Sequence, residues 1–273
     1  ILGRVFMCGL TGSWTSSDFK HAEIAERMAD QIVSRGPDSL GIWTDDNQGL
    51  ALAHRRLAIV DLSSAGNQPM VSSCLRYVVA YNGEIYNHID VREMLDSDRH
   101  HSQWRGSSDT ETLVEAISHW GLESTLSKIN GMYAFALWDK HEEKLYLVRD
   151  RIGEKPLYYG SSNGTFLFGS QLKSLTAHPE WNGDINREAL SLYMKYGYIP
   201  APQSIYERIF KVPPGHYVVV TGQGGSCSEP KCYWKLPRYS NIQNSKSSKS
   251  IEAVCEELES LLLDSVRRRM LQM

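Results

Sequence analysis

Little in this sequence marks it for a membrane, for nucleic acid or for a cross-linked secreted scaffold. Its five cysteines, Cys8, Cys74, Cys227, Cys232 and Cys255, are scattered and odd in number. They form no C-x-x-C pair, and Cys227 with Cys232 lacks second-half ligands, so neither a disulfide framework nor a zinc site is expected. No apolar run approaches the roughly 18 residues that cross a bilayer. No charged segment followed by a continuous apolar one opens the chain, so no signal peptide is read. Positive charge is not in excess either. The formal net charge is −3, and the longest basic run, Arg267-Arg268-Arg269, sits in a helical pattern. That placement fits a solvated helix face rather than a phosphate-binding tract. These absences lead to the expectation of a reducing, cytoplasmic setting without membrane or nucleic-acid partners.

What is present is ordinary globular material. The 273 residues, 41 % hydrophobic and 22 % charged, suit one large domain or one domain plus a fragment. Residues 18–34 place Ala22, Ala25, Met28 and Ile32 on one helical face, with Asp18 as N-cap. Residues 50–61 and 76–81 read as strands, the second running into Asn82-Gly83-Glu84. Ser108 with Glu111 matches a capping box for a helix that stops at Gly121. Strands follow at 132–138 and 144–149. Asn163-Gly164 signals a hairpin turn. A helix spans 186–196, capped by Asn186 and stopped by Gly197, and a strand spans 216–220. A polar linker is expected over 222–250, then an amphipathic helix from 251 to the end. Short strands interleaved with helices argue for an α+β chain with antiparallel sheets.

The chemistry gathers around Met7-Cys8-Gly9-Leu10-Thr11-Gly12. A cysteine directly behind a methionine becomes the first residue once the methionine is removed. Its own α-amine, with an ordinary pKa of roughly 7.7–8.0, can then serve as base for the thiol. The plain alternative is a small buried hydrophobe. Hydrolysing the side-chain amide of a free amino acid also needs oxyanion donors and a clamp for a zwitterionic head. Arg56 is a candidate for the carboxylate through its bidentate fork. Glu84 and Asp109 are candidates for the ammonium, and Asn82 with Gly83 for the oxyanion. Each has an unremarkable reading alone: a surface strand arginine, a turn after a strand, an acid in the first turn of a helix.

Taken together they form an ordered set. Cys8-Gly9, Arg35-Gly36-Pro37-Asp38, the run from His54 through Arg56 to Asp61, Gln68-Pro69, Asn82-Gly83-Glu84-Ile85-Tyr86-Asn87 and Ser108-Asp109-Thr110-Glu111 occur in this order. Gly131-Met132-Tyr133-Ala134-Phe135-Ala136 and Arg149-Asp150-Arg151 follow. The chain resembles the glutaminase half of glutamine-hydrolysing asparagine synthetases, which are class II glutamine amidotransferases of the N-terminal-nucleophile hydrolase superfamily. The resemblance covers roughly residues 7–236.

It implies a four-layer αββα sandwich with two antiparallel sheets. It implies Cys8 as nucleophile, Asn82 and Gly83 as oxyanion hole, Arg56 on the substrate carboxylate, and Glu84 and Asp109 on its ammonium. Leu57, Ile59 and Val60 match positions lining the same pocket. Glutamine is the implied substrate, giving glutamate through a thioester, with ammonia passed to the protein's own synthetase domain. The domain expectation is an extension over 1–7, the amidotransferase over 8–221, the linker over 222–250, and the first helix of the synthetase domain over 251–273. No cofactor is expected in this chain; ATP and Mg belong to the missing synthetase half. The family allows a homodimer.

Three departures from the family pattern stand out. Ser34 replaces a histidine before Arg35-Gly36-Pro37-Asp38, Gln171 replaces a glutamate, and residues precede Met7. Rival readings are a relative that amidates another carboxylate and a catalytically silent docking domain. A papain-like protease fits poorly, since it needs a separate histidine base.

Overall fold

Six consecutive residues, 133–138, feed two different cores in turn. Ala134, Ala136 and Trp138 join one apolar cluster, while Tyr133, Phe135 and Leu137 join another. Successive side chains of a strand point to opposite faces, so this strand is buried on both sides. The computed structural model describes residues 7–17, 19–57, 63–98, 103–237 and 250–270.

In chain order the elements are β1 (Gly9–Trp14), α1 (His21–Asp30), β2 (Ser39–Asp45), β3 (Leu50–Arg56), β4 (Met70–Val71), β5 (Tyr77–Ile85), α2 (His88–Ser97), α3 (Asp109–Trp120) and α4 (Leu122–Lys128). Then come β6 (Gly131–Asp139), β7 (Lys144–Arg149), β8 (Tyr158–Ser162), β9 (Thr165–Gly169), α5 (Leu172–Leu175), α6 (Arg187–Tyr196), β10 (Ile209–Lys211), β11 (His216–Thr221), β12 (Ser226–Cys227), β13 (Lys231–Cys232) and α7 (Ile251–Met270). Two sheets form among the described residues, with strand orders β10-β8-β9-β1-β3-β2 and β12-β11-β7-β6-β5-β4, β13 also pairing with β11. Every pairing is antiparallel.

The sheets meet over Leu10, Trp14, Leu50 and Leu52 from one and Val78, Ala80, Trp138 and Leu147 from the other. Trp14 and Trp138 lock them edge to face, ring centroids 5.0 Å apart. Ala25 and Ala29 of α1 lie on Ala51 and Ala53 of β3, small residues that let the helix approach the outer face closely. Leu113, Val114 and Ile117 of α3 cover the outer face of the other sheet with Val91 and Leu95 of α2. Helices therefore flank two stacked sheets, giving the expected α+β sandwich.

Several local expectations change. Helix α1 is shorter than 18–34: beyond Asp30 the chain continues in tighter turns, with Ile32 N–H on the Ala29 carbonyl at 2.9 Å. Ile32 stays buried, which is why the helical periodicity persisted past the helix end. The Asp18 cap lies outside the described residues, and so do residues 58–61 of the strand expected to reach Asp61. Asn82-Gly83-Glu84 is no turn; β5 runs on to Ile85, with Gly83 opposite Tyr133. A Cβ at Gly83 would sit 2.3 Å from the Met132 carbonyl oxygen, so the glycine permits this pairing.

The capping box is half formed. Ser108 Oγ accepts from Thr110 N–H at 3.1 Å, but Glu111 turns back to the loop, accepting from the N–H groups of Arg105 at 2.8 Å and Gly106 at 3.0 Å. Helices α2 and α4 were not expected. The hairpin at Asn163-Gly164 forms with both residues at positive φ, 46° and 76°, as a two-residue type I′ turn requires. Helix α6 carries its expected caps, Asn186 Oδ1 accepting from Ala189 N–H and Gly197 left-handed at φ 76°.

The segment from Gly222, read as the start of the linker, instead supplies β12 and β13, and the first compact unit ends at Trp234. The second unit contains α7, on which Val254, Leu258 and Leu261 are exposed. No described helix is long and apolar enough to cross a membrane.

Candidate active site

Cys8 immediately precedes β1, half-buried where Gly9 of that strand pairs with Arg55 of β3. This register brings the end of β3 against the thiol. Leu57 N–H donates to Cys8 Sγ at 3.3 Å, and the thiol faces the Leu57 carbonyl at 3.5 Å. The Cys8 carbonyl accepts from Arg35 Nε at 2.8 Å. With its amide oriented to satisfy its neighbours, Asn82 donates to the same carbonyl at 2.9 Å and accepts from Arg35 Nη2 at 3.3 Å. The thiol and the carbonyl of Cys8 are thus held by the chain at the end of β3, by β5 and by the loop after α1.

Arg35 is the site residue that sequence reasoning quoted in a motif without assigning it a role. It is 8 % exposed. Burial lowers its pKa, opposed by the Cys8 charge. Its loop is locked by Gly36, where a Cβ would stand 2.3 Å from the Arg55 carbonyl, and by Asp38 N–H on the Arg56 carbonyl at 3.1 Å. Ser34 is exposed, and these contacts order the loop without a side chain there.

Burial pushes the Cys8 thiol above its ordinary value. The Leu57 backbone bond pulls it back, the Asp109 charge adds to the rise, and Arg56 and Arg35 oppose it. The net is a protonated thiol at neutral pH, which needs a base before it can attack. Asp109, the first residue of α3, is 7 % exposed and accepts from Tyr81 OH at 2.8 Å and Ile85 N–H at 3.0 Å. Burial raises its pKa against these hydrogen bonds and the nearby His88. Arg56 Nη1 donates to the Ser63 carbonyl at 3.0 Å and Asn67 Oδ1 at 2.8 Å.

The expected residues therefore converge in part. Cys8, Leu57 and Asn82 are in contact directly or through Arg35, and Arg56 and Asp109 lie close enough to act on the thiol's charge. Gly83 and Glu84 follow Asn82 in β5. Ile59 and Val60 lie outside the described residues. Among the described residues, no three His, Cys, Asp or Glu side chains gather as a metal would need.

Comparison with known proteins identifies the family of the chain. The family described as "Glutamine amidotransferase domain" matches residues 7–234. Glutamine-hydrolysing asparagine synthetase 3 of Bacillus subtilis is 34 % identical over 272 residues, spanning 97 % of this chain and 41 % of that protein. Amidase chry2 of Gibberella zeae is 32 % identical over 251 residues, 91 % of this chain and 35 % of that one. The chain thus spans less than half the length of either relative. Among solved structures, the glutamine phosphoribosylpyrophosphate amidotransferase of Bacillus subtilis superposes with a TM-score of 0.61 at 19 % identity, over 84 % of this chain and 50 % of that one. At that identity the likeness shows a shared fold.

Proposed function

The chain belongs to the glutamine amidotransferase domain family, and from that premise we propose that it hydrolyses glutamine with Cys8 as an N-terminal nucleophile. The observation that carries this is the way Cys8 is held. Its sulfur sits on the Leu57 backbone and its carbonyl is clamped by Arg35 and Asn82.

The steps follow from the groups present. The neutral Cys8 amine takes the thiol proton, and the sulfur attacks the glutamine amide carbon. An Asn side chain has two N–H donors. One meets the Cys8 carbonyl here; the other, with the Gly83 N–H, stabilises the oxyanion. Collapse breaks the C–N bond, and ammonia leaves with the proton held by the amine. Water, activated by the same amine, then cleaves the thioester to glutamate. Arg56 pairs with the substrate carboxylate, and Asp109 with Glu84 holds its ammonium.

Several relatives are named glutamine-hydrolysing asparagine synthetases, which supports delivery of the ammonia to a synthetase domain that amidates aspartate, with the ATP and Mg that the family resemblance implies there. Relatives named amidases favour a second reading, a different carboxylate acceptor. The test of the glutaminase is direct. A chain beginning at Cys8 should release glutamate and ammonia from glutamine in equal amounts and leave asparagine untouched. Absence of both products from folded protein would end the proposal.

A further inference from the structure

The Arg149-Asp150-Arg151 run takes no part in the steps above, yet it builds a densely bonded turn. Asp150, fully buried, accepts from the N–H groups of Ile152 (3.1 Å), Gly153 (2.6 Å), Glu154 (2.9 Å), Lys155 (2.9 Å) and Tyr133 (3.3 Å). Arg149 donates to the carbonyls of Gly153 (2.7 Å), Lys155 (2.8 Å) and Val212 (2.9 Å). The backbone on both sides of Lys155 is thereby fixed, and its side chain is aimed.

Lys155 is 5 % exposed, and among the described residues its Nζ has one hydrogen-bond partner, Met7 Sδ at 2.9 Å. A thioether is a weak acceptor, so this buried ammonium is poorly compensated. Burial pulls its pKa down, Arg35 adds to that, and Glu84, Glu154 and Asp150 oppose it. Met7 is also the residue bonded to the Cys8 nitrogen. Its own atoms span the gap between that nitrogen and Nζ.

Resting on the glutaminase reading, in which the Cys8 nitrogen is a free amine, we propose that Lys155 is a positioning residue of the mature site: its ammonium, facing the amine across the space Met7 occupies, disfavours protonation there and keeps the base neutral near pH 7. A like charge nearby disfavours the charged form of an amine. The charged groups that act on Cys8 are Arg35 from the loop after α1, Arg56 from β3 and Asp109 from α3, while Glu84 from β5 acts on Lys155. At Cys8 itself two cations face one anion. On the Lys155 turn, Asp150 is saturated by N–H donors and Glu154 is exposed to solvent. Lys155 adds a third cation to this end of the site, with Glu84, Glu154 and Asp150 as the anions that act on it.

The experiment titrates the amine itself. Chains beginning at Cys8 are labelled with ¹³C,¹⁵N-cysteine, and the Cys8 Cα resonance is followed against pH in the wild type, Lys155→Met and Lys155→Arg. The midpoint should rise by roughly half a unit or more in Lys155→Met and stay near wild type in Lys155→Arg. The low-pH limb of kcat/KM for glutamine should move by the same amount, with KM at high pH unchanged. Lys155→Gln replaces the Met variant if that one does not fold. An unchanged midpoint in a folded neutral variant overturns the proposal. A displaced midpoint without glutamate release would instead remove the glutaminase reading and leave the Lys155 effect standing.

Discussion

The Leu57 amide points its N–H at the Cys8 sulfur, 3.3 Å away, from a residue 49 positions further along the chain. The contact exists because β1 and β3 pair antiparallel with Gly9 opposite Arg55, so the start of one strand lies beside the end of the other. A backbone donor fixes the sulfur's position whatever side chain residue 57 carries. It also stabilises a thiolate once the proton has left.

Cys8 substitutions should therefore separate chemistry from folding. In a chain beginning at residue 8, Cys8→Ser and Cys8→Ala are expected to lower glutamate release by roughly 10³-fold or more. The melting temperature should shift little, because the side chain is only half-buried. Glutamate release at the normal rate by the alanine variant would take Cys8 out of the mechanism.

Asp109→Asn should weaken glutamine binding more than it weakens the fold. Loss of a charge-assisted hydrogen bond costs roughly 1.5–3 kcal/mol, which is about a 10- to 150-fold rise in KM. Stability moves the other way. Burial raises the Asp109 pKa, so this carboxyl favours the fold while protonated, below about pH 3.9, and loses that contribution as pH rises through the raised value. Asparagine removes a charge the fold tolerates poorly and keeps an acceptor for Tyr81 and Ile85. The melting temperature at pH 7 is expected to be equal or higher. An unchanged KM with a clear drop in melting temperature would make Asp109 structural only.

What could be read in advance divides along physical lines. The hairpin at Asn163-Gly164 and the caps of α6 are local, fixed by two or three residues each, and they appear as expected. Helix α2 was invisible because its inward face rests on little beyond Val91 and Leu95, among Asp90, Arg92, Glu93 and Asp96. Arg35 and Lys155 were missed for a different reason. Each is a buried cation directed at backbone or thioether, and nothing in its own neighbourhood says where it points. The signal for Arg35 was its Gly-Pro neighbour, since only glycine lets that loop rest on Arg55. For Lys155 it was the Asp150 ahead of it, free to gather the turn's N–H groups. The plain alternative for Asn82-Gly83, a turn after a strand, fails because the glycine serves a close contact within the paired strand β5.

Acid should destabilise the protein through His54. It is buried between the sheets, and its Nε2 donates to the Tyr81 carbonyl at 2.9 Å. Burial lowers its pKa to about 4, against the pull of that hydrogen bond and with the help of Arg56. A depressed histidine contributes stability that is fully present above its unfolded value of about 6.5 and is lost as pH falls towards 4. By pH 5 the loss should be about 2 kcal/mol. Urea unfolding at pH 7.5 and pH 5 measures it, and His54→Gln, which keeps a donor for Tyr81, should show a smaller difference. Equal losses in both proteins would acquit His54.

Wherever residue 7 stays attached to Cys8, catalysis should stop, and the reason is the whereabouts of protons. With the amine free, its neutral form is well populated near pH 7 and can take the proton of a thiol whose ordinary pKa is about 8.5. Burial raises that thiol further, so the need for a base grows. With Met7 in place the nitrogen is an amide and has no usable basicity. The neighbouring groups do not replace it. His54 has its Nε2 on the Tyr81 carbonyl, and the Lys155 amine donates to the Met7 sulfur rather than to the thiol. An alkylating reagent should still find the sulfur slowly. Turnover should fail, because the leaving ammonia needs a proton from the same missing amine. The comparison sets the full 273-residue chain against one cut by a specific protease to begin at Cys8, both assayed for glutamate. Equal rates, with intact mass showing Ile1 still attached in the first sample, would mean that another group carries the proton.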